Sequence, residues 1–89
     1  MAWTIRYTET ALKQLRKLDR PTARRLVDFM DERVAPRADA RDQGKALQGA
    51  ACATLWRYRV GDSRIECEIQ DAAAVVLVMR IGHRGEVYR

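Results

Sequence analysis

Histidine occurs once in this 89-residue chain, at position 83, and cysteine and proline only twice each. One histidine and two cysteines are too few for the four-ligand sites that hold structural zinc. They are also too few for the dense disulfide framework of small secreted domains. No metal or other cofactor is expected. Cys67 alternates with Ile65 and Ile69 on what reads as the apolar face of a strand, and Cys52 sits among small residues. Both read as reduced thiols in a cytoplasmic protein. No basic-then-apolar leader opens the sequence. Its most continuously apolar stretch, residues 75–79, falls far short of the roughly 18 residues of a membrane span, so no membrane partner is expected.

Negative charge is in the minority: 12 Asp plus Glu stand against 17 Lys plus Arg, a net charge of +5. Arginine clearly outnumbers lysine, and its planar five-donor fork suits phosphate, so the composition leans toward a polyanionic partner. The length allows one domain, residues 1–89, which buries only about 60 % of its unfolded surface.

What is present changes period along the chain. Trp3, Ile5 and Tyr7 alternate with Thr4 and Arg6, which predicts a short strand with one apolar face. From residue 8 to residue 18 the apolar positions Ala11, Leu12, Leu15 and Leu18 line one face of a helix. Pro21, tolerated in a first turn, opens a second helix whose apolar face carries Ala23, Leu26, Val27, Met30 and Val34. Residues 35–53, small, charged and glycine-bearing, read as a long surface connection. The segment "LWRYRVGDSRIECEI" then reads as a hairpin turning at Gly61-Asp62, and residues 74–81, apolar on both faces, as a central strand. The expected fold is α+β: an N-terminal strand, a helical hairpin, then a three-stranded antiparallel meander in one sheet, in the order β-α-α-β-β-β.

If the helices cover the face bearing Trp56, Tyr58, Ile65, Cys67 and Ile69, those residues form core. The other face then carries Arg57, Arg59 and Arg64 on neighbouring strands, with Arg80 arriving from the third. Like charges side by side repel, so the cluster is either paired with Glu66 and Glu68 as an ordinary solvated face or built for an anion. The closing "RIGHRGEVYR", which places His83, Arg84, Glu86 and Tyr88 directly after an apolar strand, favours the anion. Glu86 reads as an ion-pair partner, and Lys13, Arg16, Lys17, Arg24 and Arg25 as a solvated helix face.

The strand-helix-helix-meander order, "GKALQG", "WRYRVGDSRI" and the terminal "IGHRGEVYR" together resemble the RelE branch of the RelE/ParE toxins over nearly the whole chain. The resemblance implies a toxin of a type II toxin-antitoxin pair, a ribosome-dependent endoribonuclease cutting messenger RNA in the ribosomal A site. Its implied partners are the ribosome, messenger RNA and a cognate antitoxin, the last in a hetero-oligomer. Carried over by position, the basic hairpin residues match Arg57 and Arg59, the basic residue opening the next strand matches Arg64, the arginine after the last strand Arg84, and the terminal tyrosine Tyr88. Three features depart from relatives: arginines stand where some have lysines, His83 precedes Arg84, and no helix follows the last strand.

Metal-free cleavage by the 2′-hydroxyl needs a base, positive charge on the phosphoryl oxygens and an acid at the leaving oxygen. Arg64 and Arg84 suit the phosphate, since a guanidinium binds two oxygens at once. Tyr88 suits stacking or proton transfer, and His83, the one side chain with an ordinary pKa near neutrality, suits proton transfer. Arg64, Arg84, Tyr88 and His83 are thus the candidate catalytic set, and Arg57, Arg59, Arg80 and Lys45 the candidate RNA-binding set. The same fold in the ParE branch resembles a DNA gyrase poison without nuclease chemistry. That alternative, and a plain nucleic-acid-binding module, stay open at this point.

Overall fold

The structure, a computed structural model, describes residues 2–46 and 55–83. Strand β1 (Thr4–Tyr7) leads into helix α1 (Glu9–Lys17) and helix α2 (Arg20–Phe29), which continues as a π turn, Met30–Val34. After a 3-10 turn at Ala40–Gln43 come β2 (Lys45–Ala46), β3 (Leu55–Val60), β4 (Ser63–Gln70) and β5 (Val75–His83). They form one sheet in the order β1-β5-β4-β3-β2, with β1 parallel to β5 and the remaining pairs antiparallel. The α+β expectation holds, and the sheet has five strands rather than four. The added strand, β2, lies inside the stretch read as a surface connection, where two residues carry no alternation to detect.

Local chemistry sets the element ends. Thr8 caps α1 by accepting a hydrogen bond from the Ala11 N–H at 3.1 Å, and Asp19 caps α2 by accepting from the Thr22 N–H at 3.1 Å and the Thr22 hydroxyl at 2.8 Å. Such caps each contribute about 1 kcal/mol. Gly61 takes a φ of +60° at the two-residue turn between β3 and β4, a conformation that glycine adopts without penalty.

The helices cover one sheet face. Ala11, Leu26, Met30 and Val34 pack against Tyr58, Ile65, Cys67, Ile69, Val76, Val78 and Ile81, all buried. Each fully buried aliphatic side chain contributes about 1.5–3 kcal/mol. Beyond Val78, β5 runs past the end of β1, and α1 closes the gap. The Thr8 hydroxyl donates to the Met79 carbonyl at 3.0 Å, and the Gln14 side-chain oxygen accepts from the Ile81 N–H at 2.6 Å.

A β-bulge interrupts the β4–β5 ladder: Glu66 pairs with Arg80 but Cys67 pairs with Val78, leaving Met79 as the extra residue. Without it the alternation begun by Val76 and Val78 would put Arg80 inside and Ile81 outside. The bulge reverses that, burying Ile81 and sending Arg80 to the solvent face.

Candidate nucleic-acid interface

Strict alternation on β3 and β4 sends every second residue away from the helices, and the register aligns those residues in rows. One row reads Lys45, Arg57, Glu66, Arg80 across β2, β3, β4 and β5. The next reads Arg59, Arg64, Gly82. Directly opposed residues have Cβ atoms about 4.5–5.5 Å apart, so Arg59 and Arg64 face each other as like charges, an arrangement that destabilises a sheet. Within these two rows the one carboxylate is Glu66. No described residue forms an ion pair with Lys45, Arg57, Arg59 or Arg80. Among the described residues, then, no ion pair joins Glu66 or Glu68 to Arg57 or Arg59.

Residues 40–46 form a strap along the β3 edge. The Tyr58 hydroxyl donates to the Ala40 carbonyl at 2.7 Å. Arg41 reaches across to the Asp71 carboxylate at 2.6 and 3.1 Å, bonds Asp39 at 3.1 Å, and lies 5.8 Å from the centre of the Trp56 ring. These contacts hold the Asp71 carboxyl below its ordinary pKa and push the Arg41 guanidinium up, through the side-chain hydrogen bond first in each case. A Cβ on Gly44 would lie 2.8 Å from the Arg57 carbonyl oxygen and from the Tyr58 ring, so only glycine lets the strap lie this close. Between strap and strand opens a hollow of ≈ 610 Å³ lined by Asp42, Gln43, Gly44, Lys45, Arg57 and Arg59.

Of the sequence-predicted residues, the structure brings Lys45, Arg57, Arg59, Arg64 and Arg80 to one sheet face. Arg84 and Tyr88 lie outside the described residues. His83 lies away from Arg57, Arg59 and Arg64. It pairs with buried Ser63, whose hydroxyl lies 2.9 Å from the His83 Nδ1, on the side covered by α1. There it borders a hollow with Gln14, Lys17, Leu18 and Arg80, while Arg57, Arg59 and Arg64 do not line it. The reason is the bulge: Ile81 faces in, and His83, two residues on, follows it.

Burial removes other groups from proton chemistry near neutral pH. It pushes the Cys67 thiol and the Tyr58 phenol well up, and, with help from the Asp31 carboxylate, raises Tyr7 to about 12. Sequence reasoning missed Arg41, because nothing in its spacing indicates a contact with Asp71 thirty residues away. The bulge did leave a signal, the shift of apolar parity from Val76 and Val78 to Ile81.

The ParE toxin of the type II toxin-antitoxin system parDE is the family whose model matches residues 5–88. Toxin RelG of Mycobacterium tuberculosis is 30 % identical over 89 residues, covering 100 % of this chain and 99 % of RelG. The fold is similar to that in the toxin-antitoxin complex RelBE2 of Mycobacterium tuberculosis, with a TM-score of 0.84, 27 % identity and coverage of 97 % and 95 % of the two chains. It is also similar to E. coli toxin RelE, in a mutant form bound to a peptide of antitoxin RelBc, with a TM-score of 0.71, 26 % identity and coverage of 93 % and 84 %. The fold is thus shared with RelE toxins, and the chain belongs to the RelE/ParE family of toxins from type II toxin-antitoxin pairs.

Proposed function

We propose that this toxin is a ribosome-dependent endoribonuclease that cuts messenger RNA in the ribosomal A site, and that a cognate antitoxin silences it in a hetero-oligomer. The observation that carries the reading is the sheet face with Arg59 opposite Arg64 and Arg57 and Arg80 flanking Glu66, a concentration of positive charge that an RNA backbone would relieve. In this reading Lys45, Arg57, Arg59 and Arg80 bind backbone, and Arg64 and Arg84 hold the scissile phosphate as the 2′-hydroxyl attacks it. Tyr88 stacks on a base or carries a proton, roles that half-buried Tyr7 and buried Tyr58, both with raised pKa, do not suit. The antitoxin follows from similarity to toxins whose solved structures are complexes with an antitoxin or an antitoxin peptide.

A second reading has its own support: the matching family model is that of ParE toxins. It makes the chain a DNA gyrase poison. Purified protein incubated with naked messenger RNA, with programmed ribosomes, and with gyrase and supercoiled DNA separates the two. The nuclease reading expects transcripts cut only on ribosomes and gyrase unaffected. Intact RNA with trapped or inhibited gyrase overturns it, and equal cleavage of naked RNA removes the ribosome from it.

A further inference from the structure

Glu66 stands midway along β4, half-buried, with Arg57 opposite it on β3 and Arg80 opposite it on β5. Arg64 lies two residues back on the same strand and the same face, about 7 Å away at the rise of a strand. With cations on three sides, Glu66 nevertheless makes neither an ion pair nor a side-chain hydrogen bond among the described residues. Glu68, the next carboxylate on that face, is placed differently. It lies one row further from Arg64, opposite Leu55 and Leu77, and its Oε1 accepts from the Gln70 side chain at 2.8 Å. A carboxylate repels phosphate, so backbone binding alone does not explain an uncommitted one at the centre of the arginines.

We propose that Glu66 is the general base of RNA cleavage, taking the proton of the attacking 2′-hydroxyl while Arg64 holds the phosphate under attack. This assignment rests on the nuclease reading of the face and deepens it by naming the group that reading leaves open. The 2′-hydroxyl and the phosphate it attacks sit on adjacent carbons of one ribose, so their base and their cation must stand side by side, as Glu66 and Arg64 do. The O2′–H bond breaks and its proton passes to a Glu66 carboxylate oxygen, while the O2′ electron pair forms a bond to phosphorus. The P–O5′ bond breaks with its electron pair on O5′, and that oxygen takes a proton from Tyr88 or from water. A 2′,3′-cyclic phosphate and a free 5′-hydroxyl result, and Glu66 returns its proton to solvent. Other described groups are ill suited to accept the 2′ proton. Arginine has no acceptor. His83 engages Ser63 through Nδ1 and borders the hollow beside α1. Burial raises the Cys67 thiol and the Tyr58 phenol, and Tyr7 is raised to about 12. Asp42 lines the strap hollow, which Arg64 does not, and Asp62 lies in the turn beyond both rows.

The test is single-turnover cleavage on saturated programmed ribosomes by the parent, Glu66→Gln, Glu66→Asp and Glu68→Gln, with ribosome affinity and a thermal melt measured for each. Glu66→Gln, which keeps the size and loses the proton acceptor, should slow cleavage by about 10²–10⁴-fold, the range of general acid-base catalysis. Its ribosome affinity and melting temperature should match the parent's. Glu66→Asp, a carboxylate on a shorter stem, should cut at least about tenfold faster than Glu66→Gln, and Glu68→Gln should stay within about threefold of the parent. A Glu66→Gln rate within about threefold of the parent overturns the proposal, and tighter ribosome binding by that variant would then leave Glu66 as a group that only tempers the repulsion among arginines. Three other results overturn it as well: a loss of rate matched by weaker ribosome binding or early melting, Glu66→Asp no faster than Glu66→Gln, or an equal loss in Glu68→Gln. A parent that cuts neither ribosome-bound nor naked RNA fells the nuclease reading and the base with it, whereas an active parent with unimpaired Glu66→Gln removes the base alone.

Discussion

Arg57 and Tyr58 are adjacent in the chain and share no surroundings: one lines the cationic hollow, and the other is fully buried beneath the helices. That single-residue alternation is why the arginine face was legible before any coordinates, since period two in "WRYRV" leaves no other arrangement. At His83 the structure adds a contact that sequence alone does not carry. Its neighbours in sequence suggest a shared site, whereas its hydrogen bond is to Ser63 on the α1 side. A paired prediction follows. Arg64→Ala should lower the single-turnover cleavage rate on saturated ribosomes by about 10²–10³-fold, the usual loss when one preorganised charge-stabilising donor is removed. His83→Gln should change it by less than about threefold, far below the 10²–10⁴-fold of acid-base catalysis. A loss at His83 comparable to that at Arg64 would restore it to the reacting centre. Thermal melts of both variants separate chemistry from folding.

The elements divide the work differently from what their lengths suggest. The longest strand, β5, was legible from its continuous apolar run, and the helices from their apolar faces. The strap was not, because what holds it is side-chain contact between residues far apart in sequence: Tyr58 with Ala40, and Arg41 with Asp71. Gly44 is its most sensitive point. A methyl group there meets a backbone oxygen and a buried ring at 2.8 Å, neither of which can move freely. Gly44→Ala should destabilise the fold by about 1–3 kcal/mol, as overpacking does. That corresponds to a fall in melting temperature of at least about 4 °C for a chain this small. Unchanged melting would mean that the strap lifts off β3, and the backbone amide signals of Arg57 and Tyr58 should then shift from those of the parent.

At the scale of the whole molecule, the strap and the sheet are joined by a contact that depends on pH. The Asp71 carboxyl is held below its ordinary value of 3.8 by its hydrogen bonds to Arg41. Its contribution to stability is therefore fully present above that value and is lost as pH falls through the lower folded-state pKa. Asp71→Asn should melt below the parent at pH 7, and the gap should close as the pH falls through the lowered folded-state pKa of Asp71, below which both chains carry a neutral side chain. A gap that persists in acid would mean that shape rather than charge makes the contact. The parallel pairing of β1 with β5 has a consequence in time. Thr4 finds its partner at Val75, and the arginine rows need β3, β4 and β5 together. Long-range pairing of this kind forms late, because a long loop must close before any contact repays it. A nascent chain made only as far as residue 74 carries the arginines of the hairpin but has neither the last strand nor a seat for the first. The sheet is thus completed only after synthesis has passed β5, and the arginine rows do not exist before then. Nascent chains stalled at residue 74 should be digested by protease as readily as an unfolded chain, and released full-length chains should resist.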